Sequence, residues 1–335
     1  MAEFTEVKQA KEAYKESILA LPNLVGVGVG YKAIRQERTD ELCIVALVRQ
    51  KVPLAALAPE ARLPPTLDDL TTDVVEVGDV RPLQARTYRW RPAPGGVSLG
   101  HYQITAGTFG AVVRDRASGD RLILSNNHVL ANSNNAKPGD PILQPGPVDG
   151  GRLKDSVIGQ LERFCPIQFS VSPPSCSLAT GVAAVANSVA RLLGSKHRLY
   201  ALQQEPNATN LVDAAVARLL DEDTLEDQIL GIGVVSGTEP AALAMAVRKS
   251  GRTTEFTTGQ IIVMEATVNV NYGLNQSARF EDQIVTSPMS QGGDSGSLLV
   301  AGDSQQAVGL LFAGSEQTTI HSPIQAVLDC LDVVL

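Results

Sequence analysis

Three short segments of this 335-residue chain hold residues able to do chemistry together. Ile123-Leu124-Ser125-Asn126-Asn127-His128-Val129-Leu130 is an apolar run ending at a histidine. Asn210-Leu211-Val212-Asp213-Ala214-Ala215-Val216-Ala217-Arg218 sets one aspartate in a small apolar strand. Ser290-Gln291-Gly292-Gly293-Asp294-Ser295-Gly296-Ser297 is a glycine-rich turn presenting a serine. A serine hydroxyl is a weak nucleophile near neutral pH and needs an adjacent base. Imidazole has the ordinary pKa closest to that working range, and a buried carboxylate fixes its tautomer by accepting the second ring N–H. Glycines beside the serine let backbone N–H groups converge where an oxyanion would form. His128, Asp213 and Ser295 are therefore the candidate catalytic residues, with the N–H groups of Gly293 and Ser295 as oxyanion donors. An aspartate between Leu-Val and Ala-Ala is costly to bury unpaired, which ranks Asp213 above the competing Asp155. A rival order, Ser295, Asp303 and His321, would need a GxSxG elbow, and Ser297 stands where its last glycine belongs. His101, His197 and His321 read as structural residues.

The elements that must position these groups follow from pattern. Residues 3–20 put Phe4, Val7, Ala10, Tyr14, Ile18 and Leu19 near one helical stripe. Val25-Gly26-Val27-Gly28-Val29-Gly30 contains a GxGxxG-like fragment, but its glycines alternate at period two with no helix following, which fits a strand. Strands follow at 41–48 and 73–77. Arg91-Pro92-Ala93-Pro94-Gly95-Gly96 is a linker. Beyond it, short strands recur at 107–114, 122–124, 157–161, 211–218, 260–263, 266–270, 298–300 and 307–312 without alternating helices, the pattern of antiparallel barrels or sandwiches. Residues 178–193, Ala-rich and helical, sit in an inserted segment and either fill a core or serve an oligomer contact; the core reading is preferred. The acidic run at 221–227 reads as a solvated linker, and the long loop over 132–135 and 138–147 as a rigid connection.

Composition removes other classes. The chain is 44% hydrophobic, too apolar for disorder. Its formal net charge of −8 offers no basic face for nucleic acid. No run of about 18 apolar residues spans a membrane, and no export signal opens the sequence, so a cytoplasmic location is expected. Cys43, Cys165, Cys176 and Cys330 form no zinc spacing. Cys165 and Cys176 bracket a Pro/Ser-rich loop and would pair only under oxidising conditions.

The motifs resemble those of the trypsin/chymotrypsin-like serine peptidases over residues 97–335. SNNHVL is similar to the family's histidine motif, VDAAVARL to the strand carrying its aspartate, and GGDSGS to its serine motif, with Ser297 where most members have a second glycine. Lys249-Ser250-Gly251-Arg252-Thr253-Thr254 resembles a stretch opening the second barrel of bacterial secreted members. The whole chain also resembles an intracellular bacterial group with an N-terminal extension, and distantly the plant Narrow-Leaf-type proteins, through VGVGYK and TDVVEVG. The resemblance implies a mainly β fold, a double antiparallel β-barrel preceded by a small α+β domain. Its parts would be the extension (1–92), a first barrel carrying His128 and Asp213 (93–228) and a second carrying Ser295 (229–335). It implies a serine endopeptidase acting on protein or peptide through an acyl-enzyme on Ser295, with no cofactor and no metal. By the family's pattern Met289 forms the pocket base, and Phe312, Ala313 and Gly314 receive the substrate strand. No acid stands at 289, so an apolar or small P1 side chain is expected. Asp294 needs a cation when buried, and Lys249, or failing it Arg252, is expected to supply it. The alternative is a protease-fold binding or assembly module with little turnover. A third reading is an ester hydrolase using the same site. Homo-oligomer formation is left open.

Overall fold

The computed structural model describes the whole chain except residues 1, 35, 36, 79, 81–83, 173, 175 and 274. The described residues form two compact units, Met1–Gln84 and Ala85–Leu335.

In the first unit, helix α1 (Phe4–Leu19) buries Val7 and Ile18, with Ala10 and Tyr14 on the same side at helical spacing. It covers a sheet in which β1 (Leu24–Ile34) pairs antiparallel with β2 (Glu37–Val48), and β2 pairs parallel with β3 (Leu70–Glu76). The alternating glycines of β1 are a strand face, as the sequence suggested. A Cβ on Gly30 would lie 2.9 Å from Val45 Cγ2, so the bare face makes room for the side chains of β2.

The second unit is built from antiparallel strands. Its first barrel comprises β4 (Ser98–His101), β5 (Gly107–Thr108), β6 (Ala111–Asp115), β7 (Arg121–Ser125), β8 (Pro141–Leu143), β9 (Val157–Phe164) and β10 (Ala215–Leu219). They pair in the order β6–β7–β10–β9–β8–β4–β5. β5 and β6 are one chain run bent at Phe109–Gly110, so the same run meets both ends of the sheet. The short helix α2 (Asn127–Leu130) follows β7 directly. The second barrel comprises β11 (Ala246–Gly251), β12 (Glu255–Gly273), β13 (Gln276–Thr286), β14 (Leu298–Ala301), β15 (Ala307–Gly314) and β16 (Thr319–Pro323). It runs β13–β12–β11–β14–β15–β16 and closes through Ile284 opposite His321.

Several expectations change. The two strands expected at 260–263 and 266–270 are one strand, β12. Its register shifts repeatedly against β13 between Ile261 and Val268, and Glu265 takes φ +52°, so bulges break the alternation that pattern reading relies on. Asp213 precedes β10 rather than lying within a strand from 211. After β16, helix α4 (Ile324–Leu331) places Val327, Leu328 and Leu331 in a core shared by the two barrels, with Val113 and Leu122 of the first and Leu298 and Leu310 of the second, and Val333 pairs with Asp115. Cys165 is bonded to Cys330, not Cys176, because α4 brings Cys330 to within 6.3 Å between Cα atoms. Cys176 is a free, exposed thiol.

The inserted helix α3 (Ser177–Leu192) buries none of its residues, which corrects the core reading. The insertion is held at its base instead, where Val171–Ser172 pairs with Gln203–Gln204 and Val171 pairs with Ser277 of β13.

Candidate active site

His128 is placed by α2, which starts where β7 ends. Asn126 Nδ2 donates to the Asp213 carbonyl at 2.7 Å, tying the β7 end to the segment entering β10. Asp213 is fully buried. Its Oδ2 lies 2.6 Å from His128 Nδ1, and its Oδ1 accepts the His128 backbone N–H at 3.2 Å. A carboxylate holding both the ring and the backbone of one histidine fixes the imidazole's orientation. Asp213 Oδ2 also accepts from the Tyr272 hydroxyl at 2.8 Å. Tyr272 sits near the tip of the β12–β13 hairpin, wedged against Phe169, Phe280 and the edge of the His128 ring. Burial, and then the Asp213 charge, push its phenol well above the ordinary range, so it stays protonated and donates.

Ser295 lies in the turn between β13 and β14, whose shape depends on glycine. Gly293 and Gly296 take φ +99° and +96°. A Cβ on Gly296 would fall 2.1 Å from Ser125 Oγ. The Ser295 carbonyl accepts from Thr108 N–H at 2.8 Å. A Cβ on Gly107 would meet Val129 Cγ2 at 2.4 Å and the Ser295 carbonyl at 3.0 Å. The glycine of β5 thus lets the residue following His128 and the serine turn close on one strand. Among the described residues no hydrogen bond joins Ser295 Oγ to His128, and the N–H groups of Gly293 and Ser295 have no acceptor.

Asp294, next to the serine, is also fully buried. Lys249 Nζ lies 3.2 Å from its Oδ2, and both side chains are wholly covered. Thr254 Oγ1 and Gln291 N–H donate to Oδ2 at 2.6 and 3.0 Å, and Thr253 N–H to Oδ1 at 2.8 Å. Burial alone would raise the Asp294 pKa; the Lys249 charge and these donors outweigh it and hold the carboxyl below the ordinary range. Arg252 does not take this role. Its guanidinium grips Asp149 at 2.5 and 2.6 Å, away from Asp294.

Beside Ser295 lies a cavity of about 730 Å³, lined among others by Thr254, Met289, Leu311, Ala313, Gly314 and Glu316. Met289 is buried, anchored by its N–H on Thr319 Oγ1 and its carbonyl on Thr257 Oγ1. Phe312 is not in the lining. Leu311, Ala313 and Gly314 line the cavity, while Phe312 packs with Ile167, Ala278 and Phe280.

No family model and no curated protein matches the chain. Among solved structures it is similar to the Nocardiopsis protease NAPase, at 19% identity and TM-score 0.46, over 72% of this chain and 98% of that one. It is similar to Thermobifida fusca protease A at 17% identity and TM-score 0.46, over 72% and 97%. It is also similar to the Cellulomonas bogoriensis chymotrypsin at 17% identity and TM-score 0.44, over 72% and 97%. At identities below a fifth no residue role transfers from them, and the site's chemistry rests on its own geometry.

Two features escaped sequence reasoning. Tyr272, 59 residues beyond Asp213, carried no motif, and only the hairpin's reach brings it back. Arg86, buried within the linker region, donates to Ser250 Oγ at 2.5 Å and to the Gly96 carbonyl at 3.2 Å. The four histidines separate cleanly. His321 is fully buried at Thr286, with burial bringing its pKa down to about 3. His101 is buried against Asp140, and His197 lies in the insertion. Among the described residues no group of three His, Cys, Asp or Glu could hold a metal, and no helix is long and apolar enough to cross a membrane.

Proposed function

We propose that this protein is a serine endopeptidase cleaving protein or peptide substrates through an acyl-enzyme on Ser295. The observation that carries this reading is the fully buried Asp213 carboxylate 2.6 Å from His128 Nδ1, in the same unit as the glycine turn that presents Ser295. His128 takes the Ser295 proton as the hydroxyl oxygen attacks the substrate carbonyl. Asp213 steadies the imidazolium that forms. The free N–H groups of Gly293 and Ser295 accept the oxyanion into hydrogen bonds. Collapse of the tetrahedral intermediate breaks the C–N bond, and His128 passes its proton to the leaving amine. Water, deprotonated by His128, then hydrolyses the ester and restores Ser295. The Lys249–Asp294 pair would hold the turn ready without a cleaved amino terminus. No cofactor is required by these steps.

The parts of the chain in this reading are the extension 1–92 and the barrels 93–228 and 229–335. The cavity beside Ser295, with Met289 inside it and Ala313 and Gly314 on one wall, suits an apolar or small P1 side chain. A cytoplasmic location fits this reading only with Cys165 and Cys330 reduced, because their bond forms under oxidising conditions. The second reading, a binding or assembly module with little turnover, is favoured by one observation: Ser295 Oγ is not hydrogen-bonded to His128. Such bonds are often long in resting enzymes and tighten on substrate.

A fluorophosphonate probe separates the two. Labelling of the full chain that Ser295→Ala and His128→Ala both abolish is the expected result. A well-folded chain that stays unlabelled would leave the binding-module reading. For a labelled protein, a quenched-peptide library then reads P1; cleavage only after Lys or Arg would overturn the pocket assignment.

A further inference from the structure

The inserted helix α3 offers a surface unrelated to the triad. Leu178, Val182, Val185, Val189 and Leu192 are 73%, 63%, 66%, 49% and 87% exposed. Their spacing is 4-3-4-3. At 100° per residue the five fall within an arc of about 80°. The helix's partly covered side is different: Ala179, Ala183, Ala186 and Ala190 line it, beside the return segment where Asn187 and Leu199 exchange two hydrogen bonds at 2.9 and 2.8 Å. The alanines therefore serve the fold, and the valine-leucine stripe is left without a partner among the described residues.

The stripe itself states what fits it. A 3.5-residue apolar period is the seam of helices packed knobs-into-holes, and β-branched residues at one core position with leucine at the other favour two strands. Val182 and Val189 occupy the first position; Leu178, Val185 and Leu192 occupy the second, which is leucine at both ends and valine at its centre. The only charged residue in α3 is Arg191. A membrane-surface helix needs a polar face rich in Lys and Arg, and this one has serine, threonine, asparagine and alanine. An uncharged seam carries nothing to select an oppositely charged partner, but it is self-complementary about a two-fold axis. At roughly 100 Å² per side chain, two copies would bury about 1,000 Å², the lower bound of a specific interface.

We propose that α3 is a self-association surface, pairing with α3 of a second copy of this chain through Leu178, Val182, Val185, Val189 and Leu192. The full chain is tested by sedimentation velocity over about a hundredfold dilution series. A concentration-dependent dimer is expected. Val185→Glu and Val185→Lys, each at an exposed position, should both weaken it by at least about a hundredfold, since each places like charges across the seam. Circular dichroism should show both variants folded. Mixing the two variants in equal amounts should restore the dimer, an outcome that misfolding cannot produce. A wild-type monomer at every concentration overturns the proposal. So does a dimer that both variants retain. Flotation with neutral and anionic vesicles is run in parallel: vesicle binding by wild type that Val185→Glu abolishes would assign the stripe to a membrane and overturn the second copy as its occupant. None of these readouts depends on peptidase activity.

Discussion

Two carboxylates in the second unit face the same problem and are solved differently. Asp213 and Asp294 are both fully buried, and an unpaired buried charge costs several kcal/mol. Asp294 is met by a fixed cation, Lys249, and by a ring of backbone and hydroxyl donors. Asp213 is met by the Tyr272 hydroxyl, a backbone N–H and an imidazole. The first arrangement is complete at rest. The second gains when a positive charge appears on the ring, the charge a general base acquires during acyl transfer. One aspartate therefore holds a loop, and the other is suited to follow a proton.

The largest expected effect breaks this comparison at Asp213. Asp213→Asn keeps the shape but presents an amide N–H to His128, favouring the wrong tautomer. We expect kcat to fall about 10⁴-fold with the denaturant midpoint nearly unchanged. Lys249→Met should do the reverse in kind. It strands Asp294 and should lower stability by about 3–5 kcal/mol, read from urea unfolding followed by circular dichroism. If Lys249→Met were as stable as wild type, the pair would not be what holds the turn. If Asp213→Asn lost stability instead of rate, the two aspartates would have the same job.

A third test uses His321, on β16, the strand whose Thr319 anchors Met289. Burial holds its pKa at about 3, below the ordinary value of about 6.5, so the native protein keeps this imidazole neutral. The unfolded chain binds the extra proton between those values. Its contribution is therefore fully present above about pH 6.5 and is lost toward pH 3, at about 1.4 kcal/mol per pH unit. His321→Gln should flatten that part of the stability profile relative to wild type. Equal slopes in the two proteins would mean that His321 is protonated in the native state.

How far the sequence speaks depends on how local the cause is. His128, Asp213 and the serine turn could be singled out because each lies in a short run with distinctive neighbours, and the fold sets His128 against Asp213. The glycines of β1 were legible for the same reason, since period two is a local property. Tyr272 was not, because its role depends on a bulged hairpin whose register no pattern gives. The Cys165–Cys330 bond was missed because it depends on the last segment returning to the first barrel, where Val333 pairs with Asp115, and no local pattern announces that return. α3 was legible as a helix, but its environment was not: an apolar stripe looks the same whether the fold covers it or leaves it bare. Phe312 shows the finest limit: it lies between two cavity-lining residues yet packs in the core, where the register of β15 shifts.

The smallest effect asks whether Tyr272 serves the role proposed for Asp213 or merely the packing. Tyr272→Phe removes one hydroxyl and keeps the ring against Phe169, Phe280 and His128. The lost hydrogen bond leaves Asp213 Oδ2 with His128 Nδ1 as its remaining partner. A hydrogen bond to a charged group contributes about 1.5–3 kcal/mol, part of which the carboxylate recovers by relaxing toward His128. If the hydroxyl positions Asp213 for the transition state, kcat should fall roughly tenfold with KM unchanged. If it only fills space, stability alone should drop, and kcat should match wild type. A rise in KM with constant kcat would point elsewhere, to a hairpin that touches substrate.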